Sequence, residues 1–231
     1  MTLVVTALKR AKTSHAVVDH VQREVVEGRL RPGDRIEVDR VADALGVSPT
    51  PVREALVLLE RDGLVTSTVH RSAYIEHFDA HTLRADFHVL GLLSGVAVAR
   101  IANDRDAEVL AELRALLAEL EATPADRPDR IREAKAAIVR VEHLAGATPR
   151  LHAELRGFSG FLEFAAEASD RRSHAQIVDA HRRVIDAIAA GAPRRASQAR
   201  LEDSKAAGEE VIRDFVQRGV LADDGGGPPA K

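Results

Sequence analysis

Two polar residues in the second half of the chain interrupt apolar helical patterns, at points where a side chain able to bind a ligand or move a proton would be buried. In AQIVDAHRRVIDAIAAG, isoleucines on either side of His181 recur at helical spacing, so His181 is expected to point inward. In RRASQARLEDSKAAG, Asp203 interrupts a stripe of alanines. A buried carboxylate needs a partner, and a buried imidazole is the obvious candidate. The two residues form either a structural pair or a pair that contacts a ligand, and burial alone does not separate these alternatives.

Acid–base catalysis by His181 and Asp203 would make the chain an enzyme. The sequence offers no nucleophile, phosphate-binding loop or complete metal triad beside them. Cysteine is absent, so disulfides, thiolate zinc sites and cysteine nucleophiles are excluded. A binding protein is therefore expected rather than an enzyme.

A second set of polar residues lies at the start of a helix predicted by SPTPVREALVLLER. Thr50 is expected to be the N-cap and Pro51 the first helical residue, where no N–H group is needed. The apolar stripe of this helix must pack inward, which leaves the following residues near the outer surface or the helix N-terminus: Ser48, Thr50, Arg53, Glu54 and Val57. Free N–H groups at that end can bind phosphate, and a long Arg can reach base edges in the major groove. The layout indicates a DNA-recognition helix.

The elements around this helix predict a winged helix-turn-helix. Apolar residues in VDRVADAL recur at helical spacing, and Gly46 ends that first helix. Two β-rich runs, 64–69 and 72–75, follow the second helix. His70 and Arg71 lie between the runs, so a two-stranded wing with a basic tip is expected. A helical hairpin with no role in DNA binding is the alternative for this pattern.

The remaining elements must support these two sites. A helix over 14–27, ended by Gly28, supplies the third wall of the small domain, and Ile36 lies in a short strand. Beyond Phe78 the periodicity is helical almost throughout, with helices near 81–103, 106–122, 129–146, 148–168, 173–190 and 193–217. The predicted fold is therefore mainly α, with an N-terminal winged helix-turn-helix followed by an antiparallel six- to seven-helix bundle.

Length and composition fit two domains with flexible ends. We assign 1–13 to a flexible basic arm, 14–78 to the winged domain, 79–218 to the helical domain and 219–231 to a disordered tail. The net charge is −3, and residues 1–78 hold 11 basic and 11 acidic residues, so DNA contact must depend on a few placed basic residues. No run reaches the length of a membrane span and no signal peptide is recognised. The chain is expected to be cytoplasmic and to have no membrane partner.

One ordered succession of motifs resembles a known family. EGRLRPGDRI, then VADALGVSPTPVREALVLLERDGLV and then a wing are similar to the N-terminal domain of the GntR family of bacterial transcription regulators, over nearly all of residues 14–77. The chain looks most like the FadR branch, whose second half is an all-helical effector domain of the FCD type. The resemblance implies that Thr50 and Arg53 contact DNA and that Arg71 lies on the wing.

This chain departs from the family among its DNA-contacting residues. Asp39 and Pro49 stand where the family often has Arg, and Arg40 lies beside the first of them. Arg40 is expected to compensate in part, and the family's usual operator is not carried over. The expected DNA-contacting residues are Arg40, Ser48, Thr50, Arg53, His70 and Arg71.

The resemblance also implies a metal site, from which this chain departs further. Effector domains of this branch commonly bind a divalent metal through one Asp and three His, with a small carboxylate completing the shell. His181 matches the third ligand segment. The other ligand positions fall on Lys135, Val139 and Asp203. A Lys ammonium repels a cation and a Val side chain cannot coordinate one, so no cofactor is firmly implied.

The same departures change the expected ligand. Leu90 and Ser94 stand where the family often has Arg and Glu, so the cavity is expected to favour a less acidic, more apolar molecule. The expected effector-binding residues are His88, Leu90, Val139, His143, His181 and Asp203. A Zn or Ni ion would need a rearranged site, formed by His143, His181 and Asp203 with His88 nearby.

These predictions combine into one expected function. The chain is expected to be a ligand-responsive transcription regulator, a repressor, that binds a short palindromic operator in double-stranded DNA as a homodimer. The helical domain would supply the dimer contacts and bind a small-molecule effector, which shifts the equilibrium between two arrangements of the DNA-binding domains. The alternatives are a regulator that needs no effector and keeps a vestigial pocket, and a metal-dependent carboxylate sensor.

Overall fold

A computed structural model describes residues 2–67 and 72–222, without the side chains of 2–12 and 159. The first part is a small α/β unit built from α1 Thr2–Val26, β1 Arg35–Ile36, α2 Val38–Leu45, α3 Pro49–Arg61, β2 Val65–Ser67 and β3 Ala73–Ile75. The second part, over its described residues, is all-helical and consists of α4 Ala80–Asp104, α5 Ala107–Ala122, α6 Pro128–Gly146, α7 Pro149–Ser169, α8 His174–Ala189 and α9 Pro193–Gln217. The mainly α fold with a winged helix-turn-helix at its N-terminal side is confirmed.

The winged domain packs three helices against a three-stranded antiparallel sheet. The strand order is β1-β3-β2, with Ile36 of β1 opposite Ala73 of β3. Helix α3 packs against α1 and α2 through the apolar stripe predicted for it, which is buried: Val52, Ala55, Leu56 and Leu59. The strands β2 and β3 agree with the predicted wing, while His70 and Arg71 at its predicted tip lie outside the described residues.

Two predicted helix starts were wrong. Helix α1 begins at Thr2 rather than Ser14, so residues 2–13, which we assigned to a flexible arm, are helical. That stretch contains no Gly or Pro and is rich in residues with good helix propensity. Helix α3 begins at Pro49, with Ser48 rather than Thr50 as its N-cap. The ring of Pro49 already holds the φ angle of a helix, so the helix can begin two residues before Pro51.

Helices α4 and α9 form the centre of the second domain and run antiparallel. A Cβ atom on Gly91 would come within 2.9 Å of Leu201 and Ser204, and one on Gly208 would come within 2.7 Å of Phe87. Glycine at both positions permits this close approach. Helices α6, α7 and α8 pack on this pair, and α5 packs on α6 and α8, which completes a bundle of six helices over the described residues.

The apolar interior forms two clusters that do not follow the domain boundary. The first runs from Val21, Leu59 and Ile75 of the winged domain to Phe87 and Phe215 of the helical domain. The second lies among α4, α5, α6, α8 and the first turns of α9. Because the first cluster crosses the boundary, the winged domain shares its core with the part of the helical domain nearest to it.

Helix α4 is apolar over an unusual length. Among the described helices it is the one whose length and composition would allow it to cross a membrane, although we expected no run of that kind. Half of its apolar stretch is buried inside the protein, and core helices of globular domains can have the same length and composition, so this is weak evidence for a membrane. Its remaining apolar surface includes Val89, Leu92 and Val96, which are 40%, 48% and 50% exposed.

Candidate functional site

The outer face of α3 carries the residues predicted to contact DNA. Ser48, Thr50 and Arg53 are exposed at and near the N-terminus of the helix, and Arg40 of α2 is exposed as well. Val57, one turn after Arg53, is 65% exposed although it is apolar. The buried stripe on the opposite face holds α3 on α1 and α2, so these outer side chains face solvent.

Glu54 differs from the other residues predicted to lie outward on α3. It is half-buried and accepts a hydrogen bond from Ser14 Oγ of α1 at 2.8 Å. This bond adds a polar contact between α1 and α3 to the apolar packing that holds the two helices together.

A cavity of about 540 Å³ lies in the helical domain, lined by residues of α4, α6, α7, α8 and α9. Its wall contains five of the predicted effector-binding residues: Leu90, Val139, His143, His181 and Asp203. His88 does not line the cavity and is exposed on α4. Its neighbour Phe87 is buried against α9, and successive helical residues project about 100° apart, so His88 is turned outward.

Asp203 pairs with two arginines, whereas the sequence pattern suggested a pair with His181. Arg172 Nη1 donates to Oδ1 of Asp203 and Arg200 Nη1 donates to Oδ2, both at 2.7 Å. Burial by itself would raise the pKa of Asp203, but the charges of the two arginines, Arg200 foremost, hold that pKa well below its ordinary value. The carboxylate is ionised, and these ion pairs account for its burial.

The ion pairs continue on both sides of Asp203. Arg172 also donates to both oxygens of Asp170, at 2.9 and 2.7 Å, and Lys135 Nζ donates to Asp170 Oδ2 at 2.7 Å. On the other side, Arg200 Nη2 donates to Oε1 of the fully buried Glu142. Burial raises the pKa of Glu142 above its ordinary value, while the charge and hydrogen bond of Arg200 act in the opposite direction. We define the charge network as these three basic and three acidic side chains: Lys135, Arg172, Arg200, Glu142, Asp170 and Asp203.

His181 lies in the cavity wall beside the charge network and is 1% exposed. Its Nδ1 lies 3.4 Å from Arg200 Nη2. A guanidinium can only donate, so Nδ1 is the acceptor and the proton of the neutral ring is assigned to Nε2. Burial, assisted by the charge of Arg200, lowers the pKa of His181 to about 3, which keeps the ring neutral. Nε2 has no hydrogen-bond partner among the described residues, which leaves a buried, unpaired N–H donor on a residue that lines the cavity.

His143 contributes a second neutral imidazole to the cavity. Its Nε2 lies 3.0 Å from Ser94 Oγ of α4. Burial, with a further contribution from the charge of Arg200, lowers the pKa of His143 to about 4. The buried His181 and the half-buried His143 are therefore uncharged at neutral pH, and the charge of the site resides in the network.

The residues present do not fit the divalent metal that the family resemblance implies. Lys135 and Val139 stand at two of the ligand positions, and the Lys135 ammonium is ion-paired with Asp170. Asp203, at a third position, is bound by two guanidiniums. Within the described ranges, no three His, Asp or Glu side chains are grouped so that they could hold a metal ion. The rearranged site from His88, His143, His181 and Asp203 is therefore not formed.

Sequence reasoning missed four members of the charge network: Glu142, Asp170, Arg172 and Arg200. One signal was present, because Arg200 lies three residues before Asp203, the spacing of neighbouring side chains on a helix. Arg172 lies between α7 and α8, where no periodic pattern indicates which side chains are buried.

Family models match both parts of the chain. The model for bacterial regulatory proteins of the gntR family matches residues 13–75, and the FCD domain model matches residues 87–202. An uncharacterized HTH-type transcriptional regulator of Mycobacterium tuberculosis is 31% identical over 218 residues, which cover 94% of this chain and 88% of that protein.

Solved structures have the same fold. Escherichia coli McbR/YncC matches with a TM-score of 0.62 and 18% identity, over 89% of this chain and 98% of that one. A putative transcriptional regulator GntR from Rhodococcus sp. RHA1 matches with a TM-score of 0.55 and 22% identity, over 84% and 95% of the two chains. The family models and the mycobacterial relative show that this chain belongs to the GntR family of bacterial regulatory proteins and is a DNA-binding transcription regulator with an FCD domain, not an enzyme.

Proposed function

We propose that this regulator is a repressor that binds a short palindromic operator as a homodimer and responds to a small molecule bound in the cavity of its FCD domain. The observation that supports an effector is the cavity itself, and its lining includes His181, whose buried Nε2–H has no partner among the described residues. A volume of about 540 Å³ is in the range of small-molecule sites. A buried donor without a partner costs free energy, and a hydrogen-bond acceptor on a ligand would remove that cost.

The DNA-contacting residues are proposed to be Arg40, Ser48, Thr50, Arg53, His70 and Arg71. Ser48 makes no capping hydrogen bond to α3, which leaves the N–H groups of the first turn to a phosphate. The long side chain of Arg53 follows within one turn and can reach a base edge. His70 and Arg71 would contact DNA from the wing.

The homodimer is proposed to form through the exposed apolar face of α4. Val89, Leu92 and Val96 lie at i, i+3 and i+7 on that face, while Gly91 and Gly95 of the same helix approach α9. The occupant is proposed to be a second copy of this chain, because a two-fold dimer presents two equal α3 helices to a palindromic operator. Leu92→Asp should give a monomer in sedimentation experiments and weaken operator binding, and a dimer of unchanged stability would contradict this interface.

The effector is proposed to be uncharged and largely apolar, with a hydrogen-bond acceptor. The three cations and three anions of the charge network balance one another. Much of the remaining wall is apolar, including Phe87, Leu90, Val139, Leu155 and Leu162. Outside the network, Arg140 and Arg156 line the cavity together with Glu163 and Glu167, so basic and acidic side chains are equal in number there and a carboxylate ligand would gain little net attraction. In thermal-shift experiments on matched pairs, an amide such as benzamide should stabilise the protein more than the corresponding carboxylate, benzoate.

Helix α7 is proposed to transmit ligand binding to the winged domain. Leu155 lines the cavity, Phe158 lines a second groove beside the end of α3, and Leu162 lines both. A Cβ atom on Gly160 would come within 2.5 Å of Asp62, directly after α3, so the two elements are in close contact. A ligand that prefers one position of α7 would thereby favour one position of α3.

Native mass spectrometry of the purified protein, followed by operator titration, tests this proposal. We expect a dimer that carries a co-purified organic molecule. When this molecule is removed and then added back to the protein, the operator affinity should change by about 5-fold or more. A dimer that carries no such molecule, and whose operator affinity no compound in a broad panel changes, would favour the effector-independent alternative. One observation favours that alternative: each charge of the network already has a partner within the protein.

A further inference from the structure

Arg200 lies at the centre of a set of groups that are typical metal ligands. Glu142 Oε1 accepts from Nη2 of Arg200, Asp203 Oδ2 accepts from Nη1 at 2.7 Å, and His181 Nδ1 lies 3.4 Å from Nη2. All four side chains are buried. Two carboxylates and one imidazole form a common zinc-binding combination. Here they converge on a guanidinium.

A guanidinium can hold these groups because it carries a permanent charge and five N–H donors. A divalent ion among the same three groups would lie within a few ångströms of that charge and would be repelled. Arg200 and a metal ion are therefore alternatives at this point.

The other cations of the charge network oppose a metal in the same way. Lys135 and Arg172 share Asp170, and Arg172 also holds the second oxygen of Asp203. With Arg200 in place, the network has as many cations as anions. An additional divalent ion would leave excess positive charge in a buried region, which is unfavourable.

We propose that the guanidinium of Arg200 is the built-in cation of this site, held by Glu142, Asp203 and His181 in place of a divalent metal, so that the effector binds without metal. The binding of an effector without metal rests on the proposed function, whereas the exclusion of metal by Arg200 is independent of that function.

Glu142, Asp203 and His181 are not grouped for a metal ion while the guanidinium separates them. Removal of the guanidinium should let these side chains close on the vacated volume and form a zinc site. In Arg200→Ala, the atoms that contacted the guanidinium face the vacated volume. After dialysis against zinc chloride, untagged Arg200→Ala should hold about one zinc per chain by elemental analysis. Its Tm should rise by about 5–10 °C at zinc concentrations of about 100 times Kd. Wild-type protein should hold no zinc and show no shift, and Arg195→Ala, which alters an exposed arginine on α9, is the matched control that should behave like wild type.

Arg200→Ala removes the partner of the buried Glu142 carboxylate and could prevent folding, so a second variant is needed for the test. The double variant Arg200→Ala/Glu142→Gln eliminates that charge, leaves Arg172 on Asp203 and keeps Asp203 and His181 as ligands. Zinc binding by either folded variant, without binding by wild type, supports the proposal. Absence of zinc from the folded variants would overturn it, as would about one zinc per wild-type chain that His181→Ala abolishes.

These measurements use neither DNA nor an effector, so their failure is distinguishable from failure of the proposed function. A regulator that needs no effector would still bind zinc only after loss of Arg200. If the regulator instead responded to an effector through a bound metal, the wild-type protein would hold zinc, and that measurement alone would contradict the proposal.

Discussion

The exposed face of α3 and the charge network of the FCD domain use arginine in opposite ways. Arg53 is exposed near the start of α3, whereas Arg200 is buried with its charge shared between Glu142 and Asp203. A guanidinium in solvent costs little and can replace a counterion at a DNA phosphate. A buried guanidinium must be neutralised within the protein. This difference is the basis for the proposal that the first region binds a charged partner and the second an uncharged one.

Substitution of Asp203 should have the largest effect on the charge network. Asp203→Ala leaves Arg172 and Arg200 with one carboxylate fewer in a buried site, so the free energy of unfolding should fall by about 3–5 kcal/mol. Urea unfolding followed by circular dichroism measures this change. The matched control is Asp179→Ala, an exposed aspartate of α8, which should change stability by no more than about 0.5 kcal/mol. Equal effects of the two substitutions would show that the network does not stabilise the fold.

Arg53→Ala should have the opposite profile, with loss of DNA binding and an intact fold. Operator affinity should fall by about 1–3 kcal/mol, while the free energy of unfolding stays within about 0.5 kcal/mol of wild type. The operator can be obtained by repeated selection from random duplexes and the affinity measured by fluorescence anisotropy. Arg61→Ala, at the other end of α3, is the control. Unchanged affinity in Arg53→Ala would remove Arg53 from the DNA-contacting surface.

The two cavity histidines, buried His181 and half-buried His143, should make stability depend on pH. The pKa of His181 is about 3 and that of His143 about 4 in the folded protein, against about 6.5 when unfolded. Between pH 6.5 and 4 the unfolded chain binds more protons, so stability is fully present above pH 6.5 and falls as the pH decreases. The slope should reach about 1.4 kcal/mol per pH unit for each histidine. His181→Gln should reduce the slope, whereas His81→Gln, at an exposed position, should not.

Val57→Ser should have the smallest effect. An exposed apolar side chain one turn after Arg53 can contact a thymine methyl group, so operator affinity should fall by about 1 kcal/mol or less. The fold should not lose stability, because the side chain is largely in solvent. Val52→Ala, on the buried face of the same helix, should instead destabilise the fold and serves as the contrasting variant. A destabilised Val57→Ser protein would mean that this face packs against part of the chain.

Most of the fold could be predicted because helical periodicity is local. The prediction of a helix over 193–217 coincides with α9, and the prediction of 148–168 differs from α7 by one residue at each end. The start of α1 was misplaced because a stretch that ends in LKRAK was assigned to a basic arm although it has good helix propensity. The N-cap of α3 was misplaced because two prolines offered two equally plausible starts.

The sequence by itself determined the outer face of α3 and the inward direction of His181, since both follow from spacing within one helix. Only the tertiary structure decided that Arg200 of α9 meets Glu142 of α6, 58 residues away, and that Arg172 meets Asp203, 31 residues away. Spacing along a helix says which face a charge occupies but not which charge of another helix it meets. That choice depends on how the helices pack, and the need to neutralise every buried charge makes its consequences large.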